Sequence, residues 1–118
     1  MADVMSRITT HVLDTARGVP AAGVPVVLEH QLRDHSWHKL ADSATNGDGR
    51  ISNLVPPGQS IDAGMYRLTF ETQAYFDANE MRGFYPRITV VFCVSDASEH
   101  YHVPLLLSPF GYSTYRGS

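Results

Sequence analysis

Cysteine is nearly absent from the sequence: Cys93 stands alone, so no internal disulfide can form. The apolar run around Cys93 makes a buried, inert thiol the expectation for this residue. No segment approaches the roughly 20 consecutive apolar residues of a membrane-spanning helix. The nine basic residues are scattered and form no Lys/Arg cluster, which argues against a nucleic-acid partner and against a polybasic membrane contact.

Targeting signals are also missing from the sequence. Residues 1–7 contain no apolar stretch of signal-peptide length, and residues 116–118 do not resemble the Ser-Lys-Leu peroxisomal signal. Together with the missing disulfides, these absences predict a cytoplasmic protein. The 118 residues are 43% hydrophobic and 18% charged with a net charge of −3, which predicts one ordered domain over residues 1–118.

Hydrophobic alternation and frequent turn signals predict a mainly β fold, a β-sandwich of seven or eight short strands with one helix. The predicted strands cover residues 8–13, 24–32, 37–44, 50–54, 64–71, 87–94, 99–107 and 112–116. The predicted helix covers residues 72–81, with Thr72 as its N-cap and Gly83 as its end. Turns are expected at residues 46–49 and at the Pro-Pro-Gly break of residues 56–58.

Two histidines are predicted to point away from the core. Val12 marks the buried face of the first strand, which places His11 on the opposite face. In the strand 99–107, Val103 marks the buried face and His102 lies on the other one. That strand is apolar on both faces, so its outer face needs a cover, most simply another subunit. A histidine on such a face is either a buried hydrogen-bonded residue or a functional group with a tuned pKa.

Surface or structural roles are expected for the four remaining histidines, His30, His35, His38 and His100. His35 and His38 have a zinc-like spacing, but no further His or Cys at ligand spacing supports a metal site. The Asn-Gly-Asp-Gly turn at 46–49 resembles part of a calcium loop whose other ligands are missing. Arg50 follows this turn, and its local pattern alone favours a surface charge.

Three stretches together resemble the transthyretin-like family: THVLDTARGVPA at 10–21, FYP at 84–86, and YHVPLLLSP followed by YSTYRGS within 101–118. The resemblance covers nearly the whole chain. It implies a prealbumin-like sandwich that assembles into a homotetramer around a central channel. The family has two main branches, the hormone carrier transthyretin and the hydrolases of 5-hydroxyisourate. The hydrolase branch is marked by four features that this sequence has: His11, Arg50, His102 and the ending Tyr-Arg-Gly-Ser at 115–118.

The resemblance therefore implies hydrolysis of 5-hydroxyisourate to 2-oxo-4-hydroxy-4-carboxy-5-ureidoimidazoline, a step of urate breakdown, without a metal or an organic cofactor. It assigns catalysis to His11, Arg50 and His102, substrate contacts to the same three with Tyr115 and Ser118, and supporting positions to Arg116 and Gly117. Strand parity suggests that Tyr115, more than Arg116, faces the channel. A non-enzymatic carrier of a small aromatic ligand stays open as the alternative, although polar His and Arg side chains and a short tail disfavour it.

Overall fold

Two sheets packed face to face make up the part of the chain that the computed structural model describes, residues 7–56 and 59–118. In chain order the elements are β1 (Ile8–Asp14), β2 (Val19–Pro20), β3 (Pro25–Gln31), β4 (Trp37–Ala44), β5 (Arg50–Ile51), β6 (Gly64–Phe70), α1 (Thr72–Ala78), β7 (Ile88–Val94), β8 (Tyr101–Ser108) and β9 (Gly111–Thr114). No helix in these ranges is long and apolar enough to cross a membrane.

The first sheet has the order β2-β1-β8-β9, and β5 also pairs with β1. The second sheet has the order β4-β3-β6-β7. Neighbouring strands are antiparallel except for β1 and β8, which run parallel through seven consecutive residue pairs. This arrangement confirms the predicted β-sandwich with a single short helix in the described residues.

The core lies between the two sheets and follows the alternation of the strands. Val12 of β1 and Leu105 of β8 are fully buried from the first sheet, and Leu28 and Leu68 are fully buried from the second. Because successive side chains of a strand point to opposite faces, His11 and His102 lie on the outer face of the first sheet. The faces predicted for these two strands are therefore confirmed.

The helix differs from its prediction at both ends. Its N-cap is Glu71, which makes no side-chain capping bond, and Thr72 is the first helical residue. The Thr72 hydroxyl is buried and donates to the carbonyl of Tyr85. The helix ends at Ala78, before Gly83, because Glu80 already adopts a positive φ of 55°.

Other predictions were wrong in detail. Cys93 is exposed, because it lies on the outer side of β7, an edge strand of the second sheet, between two inward-facing neighbours. The strand predicted at 50–54 is only Arg50–Ile51, and the two-residue β2 lies between the predicted strands 8–13 and 24–32, where no strand was predicted. Residues 1–6, for which no signal peptide was predicted, lie outside the described residues. Residues 57 and 58 of the predicted break at 56–58 also lie outside them.

A tight backbone approach fixes the turn before β5. Gly49 has a φ of +75°, and its carbonyl accepts a hydrogen bond of 2.7 Å from the Val12 amide. A Cβ on Gly49 would lie 2.4 Å from the Val12 carbonyl oxygen. Glycine therefore allows β5 and Arg50 to pair with β1.

We expect Gly49→Ala to lower the free energy of unfolding by about 1–3 kcal/mol, because alanine meets both a positive φ and a backbone clash. Urea unfolding measures this loss. Gly47→Ala in the same turn is the matched control: a Cβ there meets nothing within 4 Å, so its effect should stay within about 0.5 kcal/mol. Equal stability of the two variants would contradict this account of the turn.

Candidate functional site

The outer face of the first sheet brings together polar side chains from distant parts of the chain. His11 pairs with Arg50 across β1 and β5, and it pairs with Pro104 across β1 and β8. His102 pairs with Thr9 on one side and with Gly117 on the other. Directly paired residues of adjacent strands have side chains on the same face. The predicted residues His11, Arg50 and His102 therefore lie together on one surface.

His11 is oriented by the turn that precedes β5. Its Nε2 donates a hydrogen bond of 2.9 Å to the carbonyl of Asp48. The turn is itself held by the side chain of Asn46, whose Oδ1 accepts from the backbone amides of Asp48 and Arg50. Because a carbonyl only accepts, the proton of a neutral His11 ring is on Nε2, and Nδ1 has the lone pair.

His102 is oriented by a buried threonine. The hydroxyl of Thr9, only 1% exposed, is hydrogen-bonded to Nδ1 of His102 at 2.8 Å. The same hydroxyl is hydrogen-bonded to Nε2 of His100 at 3.0 Å. The two imidazole rings are stacked, with centroids 6.4 Å apart and an angle of 17° between their planes. Since Nδ1 is engaged, Nε2 is the ring nitrogen of His102 that remains for a reactant.

The surroundings of His102 favour its neutral form. Burial lowers the pKa of His102 below the ordinary histidine value of 6.5, because a charged imidazolium loses hydration there. The positive charge of Arg50 lowers the pKa further, as do His100 and His11 when they are protonated. An imidazole of this kind is ready to accept a proton at neutral pH.

The tail, residues 115–118, continues the pairing of β9 with β8 in unchanged register, from Leu105↔Thr114 to His102↔Gly117. The Gly117 amide donates to the His102 carbonyl at 2.8 Å. A Cβ on Gly117 would lie 2.6 Å from Cδ2 of His102, so the tail backbone lies directly against the imidazole.

The side chains of the tail point in different directions. The guanidinium of Arg116 lies 4.4 Å from the centre of the Tyr101 ring, and it donates to the Glu99 carboxylate and the His100 carbonyl. Arg116 is therefore held at the edge of the sheet, away from the histidine face. Tyr115 is 56% exposed and follows the parity of Pro104 on the outer face, and Ser118 is also exposed.

Sequence reasoning missed three groups of this site: Thr9, the carbonyl of Asp48, and His100. The sequence alone could have placed two of these groups on the right face. By strand alternation, Thr9 shares a face with His11, and His100 shares a face with His102. What the sequence did not contain was the register that places Thr9 opposite His102. In residues 7–56 and 59–118, no group of three or more His, Cys, Asp or Glu side chains has the arrangement of a metal site.

The fold and the site define a class of protein: a two-sheet sandwich that has histidines, an arginine and a C-terminal tail on the outside of one sheet. Comparison with known proteins gives its family. The chain matches the HIUase/Transthyretin family over residues 8–117, so it belongs to that family. It is 49% identical over 111 residues to the 5-hydroxyisourate hydrolase of Salmonella dublin, covering 94% of this chain and 80% of that one.

Two solved structures have the same fold. The 5-hydroxyisourate hydrolase of Klebsiella pneumoniae is 37% identical with a TM-score of 0.82, covering 94% of this chain and 97% of that one. Sea bream transthyretin, solved in complex with thyroxine, is 33% identical with a TM-score of 0.88, covering 95% of both chains. The backbone resembles both kinds of protein, so the side chains of the site must distinguish between them.

We expect Gly117→Ala to displace the His102 ring or detach the tail, because the new methyl group would meet Cδ2 of His102. The measurement is the shift of the His102 ring signals in nuclear magnetic resonance (NMR) spectra. Gly111→Ala is the matched control on β9, since a Cβ there meets only the Ser108 hydroxyl at an ordinary 3.8 Å. Unchanged His102 signals in Gly117→Ala would refute the contact.

Proposed function

We propose that the protein hydrolyses 5-hydroxyisourate to 2-oxo-4-hydroxy-4-carboxy-5-ureidoimidazoline, a step of urate breakdown. The observation that carries this proposal is the side-by-side placement of His11, Arg50 and His102 on one sheet face. The name of the Salmonella relative and that of the Klebsiella structure agree with this activity.

The reaction adds water to the ring carbonyl of the six-membered ring and breaks the adjacent C–N bond. It needs a group that takes a proton from water, donors for the developing oxyanion, and a proton for the leaving nitrogen. A neutral His102 with Nε2 available suits the first task. The proposed mechanism places this step on His102, and it needs neither a metal nor an organic cofactor.

The remaining roles follow from charge and position. Arg50 would bind the polar edge of the substrate or its oxyanion through two N–H donors. His11, held beside Arg50 by the Asp48 carbonyl, would share the proton transfer. Tyr115 and Ser118 would contribute hydrogen bonds and form one wall of the site, while Arg116 and Gly117 support the tail.

A homotetramer is part of the proposal. The outer face of the first sheet has apolar side chains, Leu13 and Leu106, that are only half-buried in the single chain. Pairing such faces would cover them and would enclose the histidine site in a channel. Water exclusion strengthens the electrostatic contacts on which the reaction depends.

The alternative is a carrier of a small aromatic ligand, as the sea bream structure with thyroxine illustrates for its own chain. Binding and release of a ligand require no proton transfer, so a carrier does not need an oriented pair of imidazoles with a lowered pKa on one of them. The hydrogen-bonded His102 therefore favours the enzyme over the carrier.

We expect the protein to accelerate the decay of 5-hydroxyisourate generated in situ from urate, as followed by ultraviolet absorbance. His102→Asn should lower kcat/KM by about 10²–10⁴-fold, the usual contribution of a general acid or base, while leaving the assembly intact. His38→Asn changes an exposed histidine away from this face and serves as the control. A wild-type protein without effect on the decay would eliminate the proposal.

We expect activity to fall on acidification, with a midpoint below pH 6.5, because His102 must be neutral to accept a proton and its pKa is lowered. Arg50→Gln removes a positive charge near His102, so the midpoint should move upward in both the pH–rate profile and an NMR titration of His102. Arg33→Gln, at an exposed position, is the charge-matched control. A midpoint above 6.5 would contradict the burial argument.

A further inference from the structure

Thr9 links two histidines through a single hydroxyl group. The oxygen lies 2.8 Å from Nδ1 of His102 and 3.0 Å from Nε2 of His100. A hydroxyl has one proton to donate, so it donates to one ring and accepts from the other. The two hydrogen bonds are therefore not independent: the direction of one dictates the direction of the other.

We propose that His100, acting through Thr9, decides which ring nitrogen of His102 carries the proton. Both are positioning residues. The proposal rests on the hydrolase function in one respect, namely that the choice of tautomer matters because His102 takes a proton from water.

The hydrogen bonds among His100, Thr9 and His102 have two possible arrangements. In the first, Nε2–H of His100 donates to Thr9, and Thr9 donates to Nδ1 of His102. The proton of a neutral His102 is then on Nε2, and His102 cannot act as a base there. In the second, Nδ1–H of His102 donates to Thr9, and Thr9 donates to a bare Nε2 of His100. The lone pair of His102 is then on Nε2, the nitrogen that remains for a reactant.

Protonation of His100 selects between them. A positively charged His100 has a proton on both nitrogens, so its Nε2 can only donate, which imposes the first arrangement. His100 is half-buried and directly precedes β8, whereas Thr9 is buried.

Other charged groups near the pair belong to several elements. Arg50 on β5 and His11 on β1 face His102, and they act on its charge without contacting Thr9. Beside His100, Arg116 donates to the His100 carbonyl and pairs with Glu99. Neither His11 nor Arg50 has a described hydrogen bond to the Thr9 hydroxyl, so among these groups only His100 can act on the His102 tautomer through Thr9.

The test replaces His100 by residues with one hydrogen-bonding direction. His100→Glu is an acceptor and should draw the Thr9 proton to itself, which leaves the lone pair of His102 on Nε2. His100→Lys is a donor and should impose the opposite tautomer. Long-range ¹H–¹⁵N NMR spectra distinguish the two tautomers of His102 directly and need no substrate. The spectra are recorded at a pH at which His102 is neutral in each variant.

Removal of the Thr9 hydroxyl should abolish the influence of position 100 on the His102 tautomer. In a Thr9→Val background, the Glu and Lys substitutions at position 100 should give the same His102 tautomer ratio, while a Thr9→Ser background should preserve the difference. Thr10→Val is the matched control, because the Thr10 hydroxyl is equally buried but donates to the Val103 carbonyl. If His100→Glu and His100→Lys give equal tautomer ratios with Thr9 present, the proposal is overturned, and this comparison does not depend on whether Thr9→Val folds.

Activity separates this proposal from the proposed function. We expect His100→Lys to lower kcat/KM by about 10²-fold relative to His100→Glu, the lower end of a general-base contribution. Opposite tautomers with equal activity would support the tautomer switch and would remove the base role from His102. Equal tautomers would overturn the switch even if the wild-type protein hydrolyses 5-hydroxyisourate.

Discussion

The parallel pairing of β1 with β8 is the constraint on which the rest of the structure depends. Seven consecutive residue pairs, from Ile8↔Tyr101 to Asp14↔Leu107, join strands that lie more than 90 residues apart in the chain. A slip of one residue would move every side chain of a strand to the opposite face. It would bury His102 among the core residues and expose Val103. The hydrophobic core therefore enforces the register that places Thr9 beside His102.

Short backbone segments complete the face that this pairing creates. The two-residue strand β5 attaches Arg50 to one edge of β1, and the tail lies along β8 at the other side. Each segment approaches its neighbour at a glycine, Gly49 against Val12 and Gly117 against His102. Sites made in this way are positioned by backbone contact, so a methyl group at either glycine would disturb the chemistry as well as the packing.

The electrostatics of the site favour a neutral imidazole on His102, because the positively charged Arg50 lies nearby. His102 is partly buried, and the nearby Arg50 repels a proton from it, so the ring stays a proton acceptor under conditions in which free histidine begins to charge. In the proposed function, the same arginine attracts an anionic or polar substrate. Electrostatics alone do not choose the nitrogen that accepts the proton, and the hydroxyl of Thr9 gives the structure a way to do so.

The sequence by itself determined the long strands, the sandwich and the outward face of His11 and His102, because alternation of apolar residues is a local property of each strand. It also contained the family resemblance that singled out Arg50 and the tail. Only the tertiary structure decided the remainder. The two-residue strands, the end of the helix and the exposure of Cys93 on an edge strand depend on neighbours far away in the chain. The Thr9–His100–His102 hydrogen bonds exist only once β1 and β8 have paired, since local pattern does not encode which strands become neighbours.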